Sequence, residues 1–183
     1  MSIRIYGNRE LKTLPGQQTR PTSARVREAL FNIWRPYLAG SHWLDICAGS
    51  GAMGAEALCR GAQQATAIEQ SGAACRIIQQ NWQKVAQPDQ TFQILKGDVR
   101  QQLRRLSEPV DLVYFDPPYA SGLYGPVLKA LAQHPMVQTA EIAVEHSPEH
   151  WTGDPPLGLT LIRQKRYGST QLSFFRVEPI DVP

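Results

Sequence analysis

From residue 41 onward, five short apolar runs alternate with helical stretches, and that rhythm leaves room for only one kind of sheet. The runs are WLDICA (43–48), ATAIE (65–69), TFQILKG (91–97), VDLVYF (110–115) and EIAVEH (141–146); helical patterns at about 52–60, 71–86, 99–106 and 124–133 separate them. Strands joined through helices run parallel, with the helices on both faces. The tail LTLIRQKRYGSTQLSFFRV (159–177) breaks the rhythm. Its two strands flank the short turn Tyr167-Gly168-Ser169-Thr170 and so pair antiparallel. The expected fold is therefore α/β: a doubly wound, mostly parallel seven-stranded sheet with a C-terminal antiparallel hairpin and a short N-terminal arm.

Two further segments precede the alternation. Residues 1–20 are basic, broken by Gly7, Pro15 and Gly16, and read as an arm or small hairpin; residues 21–183 form the domain proper. Over 22–35 the residues Val26, Ala29, Leu30, Ile33 and Trp34 recur at helical spacing, with Thr22 or Ser23 as the N-cap after Pro21. Arg25, Glu28, Asn32 and Arg35 share the polar face, whereas Arg27 falls on the border of the apolar stripe and can reach inward. In residues 1–35 seven Lys/Arg face two Asp/Glu. Such a local excess is the footprint expected for a polyanion.

Composition excludes several classes. The chain has 183 residues, 42% hydrophobic and 19% charged, enough for a real core. No apolar run approaches the roughly 20 residues that span a bilayer, and MSIRIYGNRELKTLPG lacks the apolar segment of a secretory signal. A cytoplasmic location without membrane contact is the expectation. Cys47, Cys59 and Cys75 show no CxxC spacing, and Pro148 separates His146 from His150, so neither a disulfide framework nor a metal site is expected.

The chemistry gathers at the strand ends. Residues 44–56, LDICAGSGAMGAE, place Gly49, Gly51 and Gly54 in the G-x-G-x-x-G pattern of a nucleotide-binding strand–turn–helix. Carboxylates stand at or near the ends of the first four strands: Asp45, Glu69, Asp98 and Asp116. An open α/β sheet binds ligands beyond those ends. Glu69, twenty positions after Gly49, is placed to grip a ribose diol. Asp45 is informative about which nucleotide. It would repel a pyrophosphate over the glycine turn by roughly 1–4 kcal/mol, which disfavours NAD. S-adenosylmethionine has no phosphate and carries a sulfonium and an ammonium, so an acid-lined pocket suits it better.

Asp116-Pro117-Pro118-Tyr119 closes the most hydrophobic run. The tetrapeptide is built to hold an amino group on a flat ring. The carboxylate accepts one N–H, a carbonyl in the stiffened proline pair accepts the other, and Tyr119 offers a stacking face worth roughly 1–3 kcal/mol per base.

These residues carry a resemblance. DPPY after the fourth strand resembles motif IV of the amino-group methyltransferases, and D-x-x-A-G-S-G at 45–51 resembles their motif I. More narrowly, RPTSARVREALFN (20–32), LDICAGSGAMGAEALCRGA (44–62), DPPY (116–119) and KRYGSTQLSFFR (165–176) together resemble the RsmD-type family, over nearly the whole chain. Gln70-Ser71 departs from it, an acid being frequent there. The resemblance implies a Rossmann-like methyltransferase fold with S-adenosylmethionine as cofactor, held by Asp45, Ala48, Gly49, Gly51, Glu69 and Asp98, the last near the adenine. It implies that Asp116, Pro117, Pro118 and Tyr119 hold a flipped guanine of small-subunit ribosomal RNA, free or in an assembling subunit, for methylation at N2. Arg20, Arg25 and Arg27 are the expected RNA contacts, and a monomer is expected. DPPY is shared with modifiers of DNA adenine or cytosine and, in an Asn form, of protein glutamine. A non-catalytic nucleotide-binding domain would leave the tetrapeptide unexplained.

Overall fold

The computed structural model describes residues 2–14 and 24–178. An N-terminal hairpin of β1 (Ser2–Ile5) and β2 (Arg9–Lys12) stands apart from the main sheet. The main sheet is built from β3 (His42–Ile46), β4 (Gln64–Glu69), β5 (Thr91–Lys96), β6 (Leu112–Phe115), β7 (Glu141–His146), β8 (Leu159–Tyr167) and β9 (Thr170–Val177), in the order β5-β4-β3-β6-β7-β9-β8. The first five of these are parallel; β9 is antiparallel to β7 and β8 to β9. The chain winds outward from β3 to β5 and then returns to β6 on β3's other side. The reversal puts a crevice above the carboxyl ends of β3 and β6.

Helices cover both faces. α1 (Ala24–Trp34), α2 (Ala52–Cys59) and α3 (Gly72–Val85) share one core with Trp43, Tyr114 and Phe174. α4 (Val99–Leu103) and α5 (Tyr124–Ala132) cover the other face with Leu44, Phe115 and Phe175. All five residues of β3 are buried, as expected of a central parallel strand with helices on both sides.

α1 is rotated relative to its sequence pattern. Its buried side chains are Val26, Arg27, Leu30, Phe31 and Trp34, while Ala29 and Ile33 are only half-buried. The reason is size: Phe31 stacks on Trp43 at 5.4 Å and Trp34 meets Trp43 edge-on at the same distance, and such rings bury far more area than Ala29. Turning Phe31 inward carries Arg27, four residues earlier on the same face, in with it. The expected polar face of Arg25, Glu28, Asn32 and Arg35 is exposed. The N-cap positions Thr22 and Ser23 lie outside the described residues.

The N-terminal hairpin docks on α2 and α3. Asn81, 2% exposed, accepts from the Lys12 N–H and donates to the Lys12 and Ser50 carbonyls, each at 2.9 Å. One amide thus ties β2 to the glycine turn.

Candidate active site

The three glycines after β3 do different things. Gly51 has φ +69, and a Cβ there would lie 2.8 Å from the Trp82 indole nitrogen. One at Gly54 would lie 2.2 Å from a ring carbon of Trp82. Both glycines let α3 close on the turn, and the Trp82 N–H donates to the Gly51 carbonyl at 2.7 Å. Gly49 has φ +57, yet a Cβ there would meet nothing within 4 Å. That side of the turn faces open space. Ala48 anchors the turn: its N–H donates to the Ile68 carbonyl at 3.3 Å and its carbonyl accepts from Gly51 at 2.7 Å.

Around the opening stand the carboxylates. Asp45 is 1% exposed and accepts from the Gly54 N–H at 3.0 Å; among the described residues no basic side chain pairs with it. Burial, and secondarily the charge of Glu69, push its pKa up to about 8 against the Gly54 hydrogen bond. Glu69 ends β4 and accepts from the N–H of Gly49 at 2.9 Å and of Ser71 at 2.8 Å. Two donors leave acceptor capacity on a carboxylate for a diol. Asp98 is the N-cap of α4, accepting from the Arg100 N–H at 3.0 Å and from its guanidinium at 3.1 Å. The Arg100 side chain holds its pKa below the usual range. Asp116 ends β6, its N–H donating to the Ile46 carbonyl of β3 at 3.4 Å. Burial first, then the charges of Glu69, Asp116, Asp45 and Asp98 in turn, push the Cys47 thiol up to about 12. Its φ of +63 marks the tight turn they surround.

The tetrapeptide leaves β6 at this mouth. Pro117 is buried, and the Pro118 carbonyl is taken by the Ser121 N–H at 2.8 Å, which leaves the Pro117 carbonyl as the candidate acceptor beside Asp116. Tyr119 is half-buried, with its ring 5.6 Å from that of His150 and its hydroxyl 3.4 Å from that of Thr170. Behind it Tyr124 stacks on Trp151 at 4.9 Å. Burial, then Asp116 and Tyr119, raise the Tyr124 pKa far above the ordinary tyrosine value.

Two of the three expected RNA contacts can be placed. Arg25 is exposed on the first turn of α1; Arg20 lies outside the described residues. Arg27 corrects the expectation. It is 6% exposed, with Nε 2.7 Å from Glu56 and an Nη donating to the Arg4 carbonyl at 2.8 Å. Its guanidinium fastens the hairpin to α2. Thr170, His150 and Trp82 were missed in the sequence. Only Trp82 left a signal, the small residues Gly51, Ala52, Gly54 and Ala55 that need a bulky neighbour.

A family model described as Conserved hypothetical protein 95 matches residues 3–176. The chain belongs to that family. Its relatives include Ribosomal RNA small subunit methyltransferase D of Escherichia coli strain K12, 31% identical over 181 residues that cover 96% of this chain and 90% of that protein. The protein of the same name from Haemophilus influenzae is 30% identical over 158 residues, 81% of this chain and 82% of that one. Among solved structures, yhhF of Escherichia coli superposes with a TM-score of 0.81 at 32% identity, over 97% of this chain and 99% of that chain. The rRNA methyltransferase aviRa of Streptomyces viridochromogenes, with a TM-score of 0.67 at 17% identity, shares the fold over 90% of this chain and 88% of its own. The RsmD-type resemblance and the Rossmann-like architecture thus both hold for this family member.

Proposed function

We propose that this chain transfers a methyl group from S-adenosylmethionine to the exocyclic N2 of a guanine in small-subunit ribosomal RNA. The observation that carries the chemistry is that Asp45, Glu69, Asp98 and Asp116 lie at or just beyond the carboxyl ends of the adjacent parallel strands β3, β4, β5 and β6, where the Asp116-Pro117-Pro118-Tyr119 turn begins. Target class comes from the relatives, which are named for small-subunit ribosomal RNA.

The residues fit the cofactor. Open space at Gly49 gives it room, Glu69 keeps acceptors for a ribose, and buried Asp45, which no cation pairs with among the described residues, suits a positive ligand. When bound, S-adenosylmethionine supplies an electrophilic methyl on a sulfonium. The rest is the work of the chain. Asp116 and the Pro117 carbonyl hold the two N–H groups of the amine so that its lone pair faces the donor, and Tyr119 stacks on the base. Such positioning contributes up to about 7–11 kcal/mol in well-oriented reactions. Extruding the base costs a few kcal/mol, least in an unpaired loop. Asp116 also stands where the surplus proton is released. Arg25 and Arg20 follow the phosphates.

The test is nucleoside mass spectrometry of ribosomal RNA from cells lacking this protein. N2-methylguanosine should fall by one residue per small subunit and return when the purified protein and S-adenosylmethionine are added to that RNA. An unchanged nucleoside profile would refute the reading.

A further inference from the structure

Charge along this chain is segregated. Residues 1–35 carry seven Lys/Arg against two Asp/Glu, residues 36–158 eight against twelve, and residues 159–177 four against none. The fold sets the two basic ends side by side. α1 lies across β9, with Trp34 edge-on to Phe174 at 5.8 Å. The Trp34 N–H donates to Glu141 at the start of β7, and Arg25 is exposed at the other end of α1, on its first turn. Beyond β9 lies β8, the edge of the sheet, paired on one side only among the described residues. Thr160 to Arg166 are exposed on both of its faces.

Pairing fixes where the cations of β8 stand. Arg163 is opposite Phe174 and Lys165 opposite Leu172, both members of the core on the α1 face. The two cations therefore share that face, about 7 Å apart at the usual strand rise, and the Arg163 guanidinium lies 5.9 Å from the Phe174 ring centre. β8 then climbs to the rim. Tyr167 turns into Thr170, whose hydroxyl is 3.4 Å from that of Tyr119, and Arg166 braces the turn by donating to the Gly168 carbonyl at 3.0 Å.

We infer that β8 is a second RNA-binding surface, on which Arg163 and Lys165 hold phosphates of the strand whose extruded base reaches Asp116. This rests on the RNA reading above and extends it from α1 to the neighbouring edge of the sheet. Charge on an edge strand also serves to prevent edge-to-edge pairing, and the experiment separates the two roles.

The variant Arg163→Glu/Lys165→Glu, with Arg163→Gln/Lys165→Gln as its milder counterpart, is compared with the wild type on an unmethylated small-subunit ribosomal RNA transcript. Expected are a KM for RNA raised about tenfold or more, unchanged S-adenosylhomocysteine affinity, and a log K against log salt slope shallower by about 1.4–1.8, two phosphates' worth. Wild-type RNA affinity and slope in the variants would overturn the inference while leaving the RNA reading intact, as would aggregation with normal RNA binding. A defect seen only on assembled particles would overturn it in favour of a protein contact. A wild type that neither binds nor methylates the transcript or the small subunits of cells lacking this protein would remove both readings together.

Discussion

Two carboxylates are buried almost equally in this molecule and could hardly be treated more differently. Glu56 on α2 is 3% exposed, and Asp45 on β3 is 1% exposed. Glu56 meets Arg27 at 2.7 Å on one oxygen and Arg60 at 2.7 Å on the other. Arg60 in turn sits over the rings of Tyr6 and Phe31, at 4.3 and 4.9 Å, and Arg27 holds the Arg4 carbonyl. Glu56 is thus the hub that fastens the N-terminal hairpin to α1 and α2. Asp45 has one backbone N–H and a like charge nearby. A buried carboxylate that the protein pairs with its own cations belongs to the fold; one that the described residues leave without a cation is open to a positive ligand.

If that division holds, removing a rim carboxylate costs chemistry and removing Glu56 costs stability. The largest effect falls on Asp116. Asp116→Ala should lower methyl incorporation by about 10³-fold or more while S-adenosylhomocysteine still binds in calorimetry. Normal turnover would take Asp116 out of the reaction.

Glu56→Ala is the opposite case. It strands the Arg27 guanidinium among buried neighbours, a change that typically costs about 3–5 kcal/mol. The urea midpoint should fall accordingly, with the hairpin lost first. Protein that folds should keep its cofactor affinity, since Glu56 has no place among the groups around Cys47. A selective loss of cofactor binding would break the comparison.

Asp45→Asn should do something a structural residue never does: stabilise the empty protein. The sign follows from its raised pKa. An unfolded carboxylate titrates near 4 and the folded one near 8, so between those values folding takes up a proton. Stability is then undiminished below about pH 4 and is eroded as pH rises toward 8. Asparagine still accepts from Gly54 and removes that erosion. The ligand-free variant should gain on the order of a few kcal/mol above pH 8, with no gain below pH 4, as read from urea midpoints across pH. Cofactor affinity should fall in the same variant. In the wild type that affinity should rise with pH toward 8, with a proton released on binding near neutrality that makes the calorimetric enthalpy depend on the buffer.

The glycines repeat the contrast at lower energy. Gly54→Ala drives a methyl into Trp82 and should cost about 1–3 kcal/mol of stability through overpacking. Gly49→Ala meets no protein atom within 4 Å. Beyond about 1–2 kcal/mol of left-handed backbone strain, its effect should appear as weaker cofactor binding. Equal loss of binding in the two variants would deny that the space at Gly49 is the ligand's.

Much of this was legible in the sequence because it is local. Strand and helix periods place the elements of the main sheet to within about two residues, and chain order then brings the four acids to one rim. The rotation of α1 was not legible. Periodicity weighs Ala29 and Ile33 alike with Phe31, and only contact with Trp43 decides between them. Arg27 followed Phe31 inward, so an arginine that looked available for phosphate became part of the hub. The jobs of the glycines were equally hidden: G-x-G-x-x-G does not say which glycine faces Trp82 and which faces space. Thr170 and His150, beside Tyr119, come from distant segments that no spacing connects to DPPY.

Asp98 supplies the smallest effect and the finest test of the comparison. It lies between the two extremes, with its own cation, Arg100, in a pair that solvent reaches: the side chains are 31% and 59% exposed. A screened pair of this kind contributes little to stability, so Arg100→Ala should leave the urea midpoint where it is. Removing the cation also lifts what holds the Asp98 pKa down and frees the oxygens that the guanidinium occupies. If a carboxylate serves a ligand to the extent that the protein leaves it unpaired, cofactor affinity in Arg100→Ala should hold or rise slightly. A marked fall would mean that at this position the arginine orients the carboxylate for the ligand, and that pairing does not by itself assign a carboxylate to the fold.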